Sequence, residues 1–164
     1  MNDTSPLVKY GILAAAIALA VAIMLLGDRS PALGENTVKL LPDDTGIVEA
    51  GRNVYAEHCA SCHGKNLEGQ PNWRRPGPDG KMPAPPHDHS GHTWHHADKL
   101  LFDLTKFGLK KVAGGDYETD MPAYDGVLTD QQIIAVLSFI KSTWPSDLRE
   151  YHDHLNAQDA QSKD

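Results

Sequence analysis

The chain has 164 residues, 22 acidic against 15 basic, for a formal net charge of -7, and two cysteines. That length holds one domain of ordinary size with short extensions and excludes a large multidomain enzyme. The acidic balance, with no dense basic stripe, excludes a protein that lives on nucleic-acid phosphates. Two cysteines cannot build a disulfide scaffold, so their spacing decides what they are for.

In chain order, the first element is an unbroken apolar run from Ile12 to Leu26, ILAAAIALAVAIMLL, preceded by Lys9 and followed by Asp28 and Arg29. With Leu7 and Val8 it approaches the roughly 20 residues that span hydrocarbon. A secretory signal has a shorter apolar region, about 7 to 15 residues, and a small-x-small cleavage site. Ser30-Pro31-Ala32 is a weak candidate for one. A buried helix of a soluble domain would carry a polar face, which the run lacks. Residues 1-27 therefore read as an N-terminal membrane anchor or signal-anchor, with a cleaved signal as the alternative. Either exports the remainder of the chain, the Lys9 end staying inside. Without the run the remainder is roughly one third hydrophobic, low for a globular domain, so a large apolar cofactor would help complete its core.

Residues 28-44 mix Gly, Pro and charge without a period and read as a linker. A folded domain is expected over 45-145. Val48, Gly51, Tyr55 and Cys59 recur at helical spacing and give a first helix running into the cysteines. Leu100, Leu101, Leu104 and Phe107 give a second, with Gly108 as its stop. The clearest helix is the last. Thr129-Asp130-Gln131-Gln132 is a capping box, Leu128 and Ile133 form a hydrophobic staple, and Ile133, Val136, Leu137 and Ile140 make one apolar stripe before Pro145. Residues 64-97 hold many prolines and five histidines and read as loop, with no strand-like alternation anywhere. The polar tail, 146-164, carries five acids against Arg149 and Lys163 and is expected as a solvated helix that frays.

Cys59-Ala60-Ser61-Cys62-His63 is the attachment signature of a c-type haem. Two thiols three residues apart can each add across a haem vinyl group, and the adjacent His63 is held under the iron as a ligand. A thioredoxin-like pair would need alternating strands, and a structural zinc site would need further ligands at fixed spacing. For a sixth ligand, Met1 starts the chain and Met24 lies in the apolar run, leaving Met82 and Met121. Met121 lies 58 residues beyond His63, on a loop long enough to pass the far face of a haem, and Pro122 and the capped helix follow it. Met82 lies 19 residues beyond His63, in a loop stiffened by Pro83, Pro85 and Pro86, and is expected to pack at the haem edge. Met121 is the stronger candidate, a thioether being the ligand that raises the potential into carrier range.

Gly51-x-x-x-Tyr55 before the Cys-x-x-Cys-His pentad, Met121-Pro122 after it, and a last helix ending Phe139-Ile140-x-x-x-Trp144 resemble the class I cytochromes c. The resemblance covers about residues 45-145. It implies an all-α fold in which the first and last helices cross around one covalently bound haem c, Gly51 permitting their close approach while Tyr55 and Phe139 pack at the crossing. It also implies iron ligation by His63 and Met121. The stretch PAPPHDHSGHTWHH departs from the simplest members and looks like a loop of membrane-anchored bacterial monohaem cytochromes.

His87, His89, His92, His95 and His96 could bind copper or zinc. Loop histidines without a fixed period seldom share one coordination geometry, so packing near the haem or bonding its propionates, together with Trp94, is the preferred reading. Lys99, Lys106, Lys110 and Lys111 around the middle helix, and Asp116, Glu118, Asp120 and Asp125 around Met121, are solvating charges or opposed docking patches. The leading functional reading is an electron carrier on the periplasmic face of a bacterial inner membrane, between a quinol-oxidising complex and an oxidase or other acceptor, with no catalytic residues of its own. The alternatives are a haem subunit of a larger membrane oxidoreductase, which the repeat of Ala14, Ala18 and Ala22 would suit, and a copper-handling protein using loop 87-96.

Overall fold

The computed structural model describes residues 38-114 and 117-162. The apolar run expected as an anchor lies outside the described residues. Among the described residues no helix is long and apolar enough to cross a membrane. They form helices α1 (Thr45–His58), α2 (Ala60–His63), α3 (Asp98–Phe107), α4 (Leu109–Ala113), α5 (Asp130–Ser142) and α6 (Ser146–Gln161), with a 3-10 turn at Thr93–His95 and no strand.

Helix α1 starts where its cap requires. The Asp44 carboxylate accepts from the Ile47 N–H at 2.9 Å, satisfying one of the orphan donors of the first turn. Gly51, Val54 and Tyr55 form its buried face, and that face lies on α5. The approach is so close that a Cβ on Gly51 would stand 2.0 Å from the Ala135 carbonyl oxygen. Tyr55 and Phe139 meet beside it, ring centroids 5.5 Å apart.

The capping box of α5 is present in both directions: Thr129 Oγ1 accepts from Gln132 N–H, and Gln132 Oε1 from Thr129 N–H. Ile133, Val136, Leu137 and Ile140 are buried, as the stripe implies, and so are Ala135, Ser138, Phe139 and Lys141. The wider burial has a cause outside 45-145. Leu40 is 2% exposed, and the Leu41 N–H donates to Ser138 Oγ, so the chain just before α1 covers a further side of α5. The end of the expected linker thus belongs to the folded unit.

Helix α3 ends at Gly108 as its sequence implies, but it is turned relative to the Leu100–Phe107 stripe. Asp98, Leu101, Phe102 and Thr105 face inward, whereas Leu100 is 39% exposed. The inward Asp98 explains the rotation. Its carboxylate accepts from Leu40 N–H at 2.8 Å and from Asn156 Nδ2 at 3.0 Å, and its own N–H donates to Asn156 Oδ1 at 2.7 Å. Position 98 then carries 101, 102 and 105 with it onto the same face.

The tail does not fray within the described residues. Helix α6 runs for 16 residues, with His152 fully buried, its Nε2 bonded to the His96 carbonyl at 2.8 Å and its ring edge-on to Trp144. A helix this polar has little apolar stripe to bury. Its attachment comes from the His152, Asn156 and Asp98 hydrogen bonds and from Arg149 reaching Asp43 at 2.9 Å.

Candidate functional site

The site begins where α1 breaks. Cys59 closes α1, with its N–H on the Tyr55 carbonyl, and the short α2 carries Cys62 and His63 on the next turn. Neither cysteine is in a disulfide; Cys59 is half-buried and Cys62 exposed. Burial, and then the neighbouring Cys62, push the Cys59 thiol up to about 11. The attacking thiol of a redox-active Cys-x-x-Cys is shifted the opposite way.

His63 is 7% exposed, and its Nδ1 lies 2.8 Å from the Pro85 carbonyl oxygen. A carbonyl only accepts, so Nδ1 carries the proton and Nε2 keeps a free lone pair. Burial lowers the His63 basicity, with the Pro85 bond opposing. The proline-rich loop thus has a positional role, Pro85 orienting the histidine from across it. Gly69 lets that loop close, since with φ at +69° its Cβ would lie 2.4 Å from the Pro86 nitrogen.

His87, two residues on, is half-buried and stacks on His63 with centroids 4.0 Å apart and planes 25° apart. Desolvation, and then His63 and His92, hold it well below the usual histidine range. The other loop histidines scatter. His92 stacks on Trp73, His95 lies over Trp94, and His96 lends its carbonyl to His152. Among the described residues no group of three or more His, Cys, Asp or Glu is arranged to hold a metal ion.

Met121 is half-buried and Met82 is 38% exposed. The Met121 loop is tied down by Tyr124, whose hydroxyl donates to the His58 carbonyl at 2.7 Å and whose N–H meets the Thr105 and Lys106 carbonyls. Burial, followed by Cys59 and Cys62, raises the Tyr124 phenol to about 12. The two methionine loops also touch, through a Lys81–Asp120 ion pair. Lys99 pairs with Asp103, Lys106 with Asp130 and Lys110 with Glu118. Of the groups expected as opposed patches, Lys110 and Glu118 pair with each other, while Lys99, Lys106 and Asp120 pair with charges outside those patches. His87 is one of the loop histidines expected to pack near the haem, though nothing in the sequence singled it out from the other four; Tyr124 and Asp98 were not legible, having no motif around them.

These residues fit a covalently held, carboxylate-bearing macrocycle. Two thiols and an oriented imidazole sit on one turn of chain. The Trp94 indole Nε1, shut away from solvent, has no acceptor among the described residues. A carboxylate such as a haem propionate is the kind of acceptor such a buried donor needs. Cys59 and Cys62 would hold the group by thioethers and His63 by its Nε2. When bound, it supplies a one-electron iron couple.

A small all-α domain built around such a turn is a haem-attachment domain, and the family profile described as cytochrome c matches residues 48-144. The chain belongs to the cytochrome c family, and its cofactor is covalently attached haem c. It is 32% identical over 103 residues to a nitrite reductase of Stutzerimonas stutzeri, covering 58% of this chain and 16% of that protein. It is 24% identical over 159 residues to the cbb3-type cytochrome c oxidase subunit FixP of Bradyrhizobium diazoefficiens, covering 93% of this chain and 51% of that protein. The chain thus spans about half the length of one relative and far less of the other. No solved structure matches it.

Proposed function

We propose that the chain is a periplasm-facing monohaem cytochrome c that passes single electrons between redox proteins, tethered to a bacterial inner membrane by residues 1-27. In this reading His63 and Met121 both ligate the iron, and no position is left open for a substrate. The observation that carries it is the Cys59-Cys62-His63 turn with His63 Nδ1 committed to Pro85, which leaves Nε2 as the ligating atom. The tethering of the Met121 loop by Tyr124 supports the choice of thioether. Its partners would be a quinol-oxidising complex and an oxidase or another acceptor.

Exposing the ferrous holoprotein to carbon monoxide tests the closed iron: no prompt spectral change is expected, and rapid formation of a carbonyl complex would contradict the assignment. A second reading, a haem subunit of a larger membrane oxidase, is favoured by the similarity to FixP, which extends well beyond the family domain on this chain. Stoichiometric co-purification with an oxidase from native membranes would select it over a freely exchanging carrier.

A further inference from the structure

We propose that His87 is a positioning residue for the iron ligand, its imidazole acting as a flat wall that fixes the plane of the His63 ring and so tunes the haem. This rests on His63 being the ligand. The bond from Nδ1 to the Pro85 carbonyl restrains rotation of the His63 ring about its Cβ–Cγ bond, but one hydrogen bond tolerates tens of degrees of misalignment. A contact on the ring face narrows that range. His87 makes that contact, with its ring stacked at 4.0 Å and 25°.

The wall is itself fixed from separate parts of the fold. The His87 Nδ1 lies 2.8 Å from Oγ1 of buried Thr93 in the 3-10 turn. Its N–H donates to the Leu67 carbonyl at 2.8 Å, and Leu67 holds a left-handed backbone at φ 66° to present that carbonyl. Its own carbonyl accepts from the Trp144 indole at 2.8 Å, just beyond α5. Tyr55 meets the ring edge-on at 6.4 Å. An aliphatic side chain could fill this volume, but a flat ring adds the preference of aromatic pairs for a parallel stacked geometry, which favours one orientation of the ring it faces. The orientation of an axial imidazole and the hydrogen bonding around it are among the levers by which a protein sets haem electronics.

The test uses the ferric holoprotein and two readouts that a merely structural role would not move together, the low-spin electron paramagnetic resonance signal and the midpoint potential. In His87→Ala, and in His87→Asn, which keeps a polar partner for Thr93 but no ring, the signal is expected to broaden into more than one orientation, with shifted g values and a shifted potential. His87→Phe, which restores a flat ring without the polar atom, is expected to return a single wild-type-like signal. If His87→Ala fails to retain haem, His87→Asn and Thr93→Val, which leaves the ring but frees it, carry the same expectation. Wild-type spectra in the Ala and Asn variants, or a Phe variant as displaced as Ala, would overturn the proposal. His63→Ala is the separate control: if it left the spectrum unchanged, His63 ligation itself would fail, and the two failures would not be confused.

Discussion

Replacing Gly51 by alanine should push the central helix pair apart. An added Cβ would meet the Ala135 carbonyl oxygen at 2.0 Å, its carbon at 2.5 Å and the Phe139 Cβ at 2.9 Å. Two of these are backbone atoms of α5 that no rotamer change can move. Ordinary carbon contacts lie near 3.5 Å, so the helices must part by roughly 1 Å, and a gap of that size forfeits about a quarter to a half of each contact's attraction along the seam. Helix propensity alone would favour alanine by about 1 kcal/mol. Overpacking costs about 1–3 kcal/mol, and a rigid backbone obstacle belongs at the upper end, giving a net loss of about 2 kcal/mol. For a chain of this size that is a fall of about 4–8 °C in Tm. The assay is thermal and denaturant unfolding of the holoprotein beside Gly46→Ala in the same helix, whose Cβ would meet only the Asp44 carboxylate at an ordinary 3.4 Å. Gly46→Ala should be neutral or stabilising. A Gly51→Ala protein as stable as Gly46→Ala would refute the close-approach argument.

Tyr124→Phe removes the bond to the His58 carbonyl and should cost about 1 kcal/mol; it should also speed cyanide binding to the ferric form, and an unchanged binding rate would show that Tyr124 does not hold the Met121 loop. Thr129→Ala should cost about 1 kcal/mol through loss of the α5 cap while leaving the haem spectrum untouched. Burial first, and then Lys141 of α5, lower the His152 basicity below the usual 6.5, while the His96 carbonyl bond, Asp98 of α3 and Asp153 of α6 oppose them. The folded chain thus holds His152 neutral where the unfolded chain would protonate it, so this residue's contribution is present above about pH 6.5 and is lost as the pH falls toward the folded value. The wild-type stability should therefore drop more steeply below pH 6.5 than that of His152→Gln; parallel profiles would exclude His152 as the source.

The parts of the fold that sequence made legible are those whose signals are local. Thr129 with Gln132, and Gly108, mark helix ends because capping acts within one turn of chain. The haem turn is legible for the same reason, being five consecutive residues. What escaped depends on contacts distant along the chain. Asp98 turns α3 by binding Leu40 and Asn156, each 58 residues away. The same cluster turns an expected frayed tail into α6, whose composition alone promises little. His87 looked like one of five similar loop histidines, because its stacking on His63 arises only when Pro85 brings the loop back across the chain.

The carrier reading stands on Met121, not Met82, closing the iron opposite His63. The ferric absorption spectrum, whose weak red charge-transfer band reports thioether ligation, decides between them when taken with the midpoint potential for wild type, Met121→Ala and Met82→Ala. The wild type and Met82→Ala should show the band and share one potential, while Met121→Ala should lose the band and fall in potential, because thioether ligation favours the ferrous state. A band that survives in Met121→Ala and disappears in Met82→Ala would contradict the assignment.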